Sequence, residues 1–445
     1  VTTPEAADRV LRQAIARIAR PDYPAWALQL AAAGNCSHPV RLTGRSTRVD
    51  GSTGEVQLQF TTATQPDRVL LKACGTRRAT RCPACAAVYR SDARALILAG
   101  LRGGKGVSAD VTEYPLVFVT LTAPSFGAVH TTRADGGACQ PGTQSSRCPH
   151  HRPRNCFDRH ERGDPMAGQP LCPRCYDQAG TVIWNARAAE LWRRTTIALR
   201  RRLASTAGLT VRQLDKGQVA AFVKVAEYQE RGVVHFHALI RLDPTGAVQP
   251  INSETLAGAI YETVPRVRIA NPHQPERPIQ WGQQTDVTIV PAGERSSVAA
   301  YLAKYATKSV DTGGALDHRL HHGDLTNYPL PDHLRTLAET AWNLGGDTTL
   351  AGLNLRHWAH TLGYRGHWLT KSRGWSTTLT QLRTDRHLWQ LARHGHTPTA
   401  ESPEVIVEAD WTYNGTGHHS DGDTWLAAIT HANRQQQRRT AWEER

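Results

Sequence analysis

The stretch VVHFHALIRLD, residues 233 to 243, decides how this chain is read. Its β-branched and apolar residues favour an extended strand, in which successive side chains point to opposite faces. His235 and His237, two apart, then share one face and make a two-histidine metal grip. VAAFVKVAEYQ (219 to 229) carries the same strand pattern across the short turn ERG, so the two segments predict a hairpin. The expected third ligand is Glu227. A slightly widened turn sets it across from His237, whereas a tight turn at Arg231 and Gly232 brings Tyr228 opposite His235 instead. Glu230, in the turn, is the alternative acid. A second pair, His394 and His396 in RHGHTP, is flanked by Gly and Pro and reads as a loop without metal.

SSVAAYLAKYATKS, residues 296 to 309, predicts a helix that Ser296 or Ser297 can cap. Tyr301 and Tyr305 are four apart and share a helix face, with Lys304 and Lys308 beside them. A tyrosine with a pKa of ~10 is almost wholly protonated at neutral pH. A metal-held phosphate and a neighbouring lysine assist its ionisation and attack. Two histidines plus a carboxylate make a mixed site suited to Mg²⁺ or Mn²⁺ rather than a closed structural zinc. The two segments together read as a metal-assisted tyrosine nuclease.

PLVFVTLTAPS (115 to 125), EYQERGVVHFHALI (227 to 240) and YLAKYATK (301 to 308), in that order, resemble the HUH endonuclease superfamily, specifically its rolling-circle replication initiators. The paired-tyrosine pattern is similar to the group that includes the gene A replication proteins of small single-stranded DNA phages. The whole chain, with GYRGHWLTKSRGWSTT (363 to 378), resembles replication initiators of actinobacterial plasmids and integrative elements. Its histidines precede its tyrosines; conjugative relaxases have the reverse order. The resemblance implies recognition of an origin and cleavage of one strand, with Tyr301 or Tyr305 joined to the 5′ phosphate. The free 3′ hydroxyl then primes a host polymerase, and the second tyrosine permits the transfer that closes the circle. Two other classes fit parts of the pattern: a related transposase or relaxase, and a non-catalytic zinc DNA-binding regulator.

A net charge of +14 attracts phosphate backbones and makes binding salt-dependent. The 12 tryptophans and 11 tyrosines offer faces on which unpaired bases can stack. GLRGGKGVS (100 to 108) lacks P-loop spacing, so unwinding is expected from a separate host helicase. Neither a long apolar run nor a signal peptide is found, which predicts a cytoplasmic protein without a membrane partner.

Nine cysteines in such a chain point to structural Zn²⁺ rather than disulfides. Cys82 and Cys85 form one knuckle, completed by Cys74 and by Cys36, with His38 as the alternative fourth ligand. Cys172 and Cys175 form another, completed by Cys148 and Cys156 in a segment crowded with His150, His151 and His160. Cys139 is left over. Two zinc ions are expected.

The fold class predicted is α+β: an antiparallel nuclease sheet flanked by helices. Residues 1–112 read as an N-terminal zinc module, with a helix over 4 to 19 and short strands around RLTG and EVQLQF. Residues 113–310 read as the nuclease domain, with a zinc-ordered insertion at about 127–178, a basic helix over 181 to 204 and a strand-like PIQWGQQTDVTIV (278 to 290). Residues 311–445 read as mainly helical and DNA-binding. There Arg365, Lys371 and Arg373 alternate with Trp368 and Trp375, a pattern that can hold a phosphate backbone or stack a base.

Overall fold

The computed structural model describes residues 3–51, 53–140, 147–161, 163–246, 251–312, 319–321, 323, 325, 330–393 and 405–443. Of these, residues 57–58, 292, 305–312, 390–391, 393, 405, 438–439 and 441–443 are described by backbone alone. The chain begins with α1 (Pro4–Ile18), α2 (Tyr23–Ala32), β1 (Val40–Asp50), β2 (Val56–Thr61), β3 (Leu70–Lys72) and α3 (Pro83–Arg102). It continues through β4 (Leu116–Leu121), α4 (Gln178–Thr206), α5 (Val211–Gly217), β5 (Gln218–Tyr228), β6 (Val234–Pro244) and α6 (Ser253–Thr263). Next come β7 (Arg268–Ile269), β8 (Ile279–Gln280), β9 (Thr285–Ile289), α7 (Arg295–Thr312) and α8 (Asp332–Leu344). The last elements are β10 (Leu369–Lys371), α9 (Leu379–Arg393), β11 (Val405–Thr416) and α10 (Asp421–Glu443).

These elements fall into two compact units, Val1–Asp92 with Thr378–Arg445, and Ala93–Thr377. The consecutive blocks read from the sequence are therefore regrouped, because the end of the chain folds onto its beginning. β11 pairs antiparallel with β1 from Val40↔Thr416 to Asp50↔Val405, so the region beyond 311 holds a long strand as well as helices. β2 and β3 pair with β1 as well. Arg17 of α1, almost fully buried, donates from Nε to Asp423 at the start of α10 at 2.8 Å and from Nη2 to Asp67 at 2.8 Å. A buried guanidinium needs such paired carboxylates to offset its lost hydration.

The second unit is built on an antiparallel five-stranded sheet of order β10-β5-β6-β4-β9. Alternation divides it into two faces. Val119 and Leu121 of β4, Ala226 of β5 and Phe236, Ala238 and Ile240 of β6 are buried in one core with Trp184, Leu191 and Trp192 of α4. Each large apolar side chain so buried contributes about 1.5–3 kcal/mol. On the other face lie Phe118, Thr120, Glu227, His235 and His237, with α7 packed on β5. The segment 278 to 290 is not one strand: β8 pairs with β7, and β9 joins the large sheet beside β4. The chain breaks between them at Gly282, whose N–H donates to Thr122 O at 2.8 Å; a Cβ there would sit 2.5 Å from Ala123 O.

Among the described residues between β4 and α4 there is no helix or named strand, only isolated pairings such as Val129↔Pro170 and Gln140↔Cys156. Among the described residues, no helix is long and apolar enough to cross a membrane.

Candidate metal and tyrosine centre

The hairpin of β5 and β6 sets the site. Its loop is Glu230-Arg231-Gly232, closed by Gln229 N–H donating to Val233 O at 2.8 Å, with Gly232 at φ 74°. A three-residue loop ending in a left-handed glycine is a common hairpin closure. It fixes Glu227 opposite His235 and Val225 opposite His237. Both sequence-based registers are corrected by this: Glu227 does not face His237 directly, and Tyr228 pairs with Val234. Directly opposed residues share a sheet face, so Glu227 still reaches both imidazoles. Its Oε2 is 3.1 Å from His235 Nε2 and 3.5 Å from His237 Nε2. Glu230 is exposed in the loop.

Asn185 of α4, fully buried, clamps this loop. Its Nδ2 donates to Gly232 O and to Leu362 O, both at 3.0 Å, and its Oδ1 accepts Val234 N–H at 3.0 Å, one residue before the first histidine. Thr120 on β4 pairs with His237, and its Oγ1 lies 3.1 Å from His237 Nδ1. Burial lowers the His235 imidazole below its usual value, with the bond to Glu227 acting in the opposite direction. Glu227, His235 and His237 thus bring three donor atoms within 4.8 Å of one another, a set that can hold a divalent cation.

Helix α7 places Tyr301 over the same face. The Tyr301 ring stands edge-on to His237 at 5.9 Å and to Phe118 at 5.8 Å between centroids, and the residue is 42% exposed. Neither Ser296 nor Ser297 caps the helix: α7 begins at Arg295, and Ser297 Oγ donates to Glu294 O at 2.7 Å. Arg295 fixes the start instead, donating to Val111 O at 2.6 Å and Tyr114 O at 3.0 Å. Lys304 is exposed on the next turn. Tyr305 and Lys308 lie on the helix backbone, but their side chains are outside the described residues, as is the His394–His396 pair.

The cysteines separate into groups. Cys36, Cys74, Cys82 and Cys85 come together as expected, without His38, and can hold zinc. The second group is corrected: Cys148, Cys172 and Cys175 gather with His150, whose Nδ1 is 3.1 Å from Cys175 Sγ. Cys156 lies elsewhere because its backbone pairs with Gln140, which draws it to Cys139, the cysteine left over in the sequence reading.

Of the tryptophans of the basic turn, Trp375 is a core residue and Trp368 packs, partly buried, against the core. Trp375 is fully buried, packed so closely on Gly100 that a Cβ there would meet its indole at 2.3 Å, with the Arg241 guanidinium 5.0 Å from its ring. Trp368 packs on Tyr364 and Tyr228 at 4.9 and 5.1 Å. The fully buried Trp375 cannot stack a base, and Trp368 is half-buried in these contacts. Lys371 donates to Ser372 O at 3.2 Å and Ser376 O at 2.7 Å, whereas Arg365 and Arg373 are exposed. Trp375→Ala is expected to cost about 3–5 kcal/mol in urea unfolding; a loss below about 1 kcal/mol would contradict this packing.

Set beside known proteins, the chain matches over residues 22–432 the RepSA family, described as replication initiator protein, pSAM2. It belongs to this family of replication initiators. The replication initiator protein of Streptomyces ambofaciens is 41% identical to it over 446 residues, which cover 95% of this chain and 93% of that one. No solved structure matches the chain.

Proposed function

We propose that this replication initiator starts rolling-circle replication by nicking one DNA strand at its origin, with an HUH-type centre and a tyrosine nucleophile. The observation that carries the reading is the Tyr301 ring set against His237, within a face that also holds His235 and Glu227. Glu227, His235 and His237 would hold Mg²⁺ or Mn²⁺, which when bound supplies positive charge to the oxygens of the scissile phosphate. With its Nδ1–H donated to Thr120 Oγ1, 3.1 Å away, His237 would turn the Nε2 lone pair toward the Glu227 side, as a metal ligand requires.

Tyr301 Oη attacks the phosphorus. A tyrosyl O–P bond forms and the P–O3′ bond breaks; the phenol gives up its proton to solvent, and the leaving 3′ oxygen takes one from solvent and departs as a hydroxyl, so no net proton is gained or lost. Lys304 assists by favouring the phenolate. Tyr305, with Lys308, serves the later transfer that rejoins the ends. Arg365 and Arg373 contribute phosphate contacts, and Lys371 reinforces the positive charge beside them. The 3′ hydroxyl primes a host polymerase, and a host helicase supplies unwinding. Zinc at the cysteine groups would order the segments that carry them.

A labelled single-stranded oligonucleotide carrying the origin is expected to form a covalent adduct with the protein, stable to denaturing electrophoresis, when Mg²⁺ or Mn²⁺ is present and not in EDTA. Origin binding without any adduct would favour a non-catalytic regulator.

A further inference from the structure

His130, Cys139, Cys156 and His160 place their ligand atoms within 4.8 Å of one another. We propose that these four residues bind a further zinc ion, and that it is cross-braced with the ion held by Cys148, His150, Cys172 and Cys175. Both thiols are buried. The His160 ring is oriented from behind: its Nδ1 is 2.7 Å from Asp164 Oδ2, while its Nε2 lies 3.6 Å from Cys156 Sγ and 3.0 Å from His130 Nδ1. A carboxylate on the far ring nitrogen is the usual support for a metal-bound histidine, fixing its tautomer and raising its basicity. Thr131 N–H points to Cys139 Sγ at 3.1 Å.

The backbone delivers the ligands in register. Gln140 and Cys156 exchange N–H···O bonds of 2.8 and 3.0 Å, which brings Cys139 beside Cys156. His130 N–H donates to Gln169 O at 2.8 Å, and His130 O accepts from Gly168 N–H at 2.8 Å. Two thiolates and two imidazoles form a complete tetrahedral donor set for zinc.

Along the chain the donors come in pairs: His130 and Cys139, Cys148 and His150, Cys156 and His160, Cys172 and Cys175. The first and third pairs make one site, the second and fourth the other. Each ion therefore closes a loop that contains ligands of its neighbour. Since the segment has almost no apolar core of its own, metal binding supplies its folding free energy, and loss of one ion should weaken the other. This also accounts for every one of the nine cysteines. His130 and Gln140 further line a cleft of about 870 Å³ with Thr122, Gln229, Glu230 and Arg231, so the brace fixes a wall beside the hairpin.

The test is zinc content of the full chain by native mass spectrometry, with zinc-edge X-ray absorption on the unsubstituted protein. Three ions per chain are expected, with an average of three sulfurs and one nitrogen around each. Cys139→Ser with Cys156→Ser should remove at least one ion and speed chelator extraction of the Cys148 site at least about tenfold, leaving the Cys36 site unchanged. Two ions in the unsubstituted protein, or a sulfur share close to seven in eight, would overturn the proposal without relying on any variant's folding. So would an unchanged count in the double variant, or a Cys139–Cys156 disulfide in the purified chain. None of these readouts depends on DNA cleavage, so failure here leaves the nuclease reading standing, and the reverse holds equally.

Discussion

Tyr301→Phe is expected to slow the first cleavage of an origin strand at least about a thousandfold, and Tyr301→Phe combined with Tyr305→Phe to abolish the covalent adduct. The Tyr301 ring is set against His237, on the sheet face where a phosphate held beside the histidines would lie. Tyr305→Phe alone should leave the first cleavage nearly intact and reduce rejoining of the cut ends. Because Tyr301 is partly exposed, removing one oxygen leaves the packing on Phe118 in place. Stability and DNA affinity should therefore change by no more than about 0.5 kcal/mol. Single-turnover cleavage, rejoining and binding, measured on the same oligonucleotide, separate these effects. An adduct formed by the double variant would remove both tyrosines from the reaction. Equal slowing by the two single variants would remove the distinction between them.

The strands that build the centre were legible because their pattern is local. Residues 219 to 229 and 233 to 243 carry enough β-branched and apolar residues to define β5 and β6, and the i, i+4 tyrosines define α7. The register was not legible, since it depends on whether the loop holds two residues or three, and a one-residue slip moves every side chain to the other face. Gly232 held the signal: a left-handed residue closing a three-residue loop places Glu227 opposite His235. Asn185 gave no signal at all, because a lone polar residue in a basic helix reads as surface until the loop it clamps is known.

The cysteine pairing failed for a related reason. Spacing identifies knuckles such as Cys172 and Cys175, but not which distant pair completes each one. Backbone pairing of Gln140 with Cys156 decides that, and the crowd of histidines in the same segment was the available hint. In the basic turn, alternation of tryptophan with arginine suggested stacking, yet Trp375 is buried against Gly100, where any Cβ would meet its indole. The return of β11 to β1 joins residues more than 350 positions apart, a contact with no local signature.

His237→Ala is expected to lower cleavage by several kcal/mol of transition-state stabilisation, roughly a thousandfold or more, with origin binding retained. His237 stands at the centre of the proposed reaction: its Nε2 is near Glu227, its Nδ1 is near Thr120, and its ring faces Tyr301. Glu227→Gln keeps the shape but removes the charge, so the Mn²⁺ concentration needed for half-maximal cleavage should rise. Glu230→Gln should do nothing, because that side chain is exposed in the loop. Thr120→Val should lower metal affinity, raising the half-maximal Mn²⁺ concentration by about 10–100-fold, while leaving the rate at saturating metal close to that of the parent chain, since it acts on the orientation of His237 rather than on the phosphate. Metal titrations of single-turnover cleavage distinguish these variants. If Glu230→Gln raised the metal requirement more than Glu227→Gln, the third ligand would lie in the loop, and the register at Glu227 and His235 would have no bearing on metal binding.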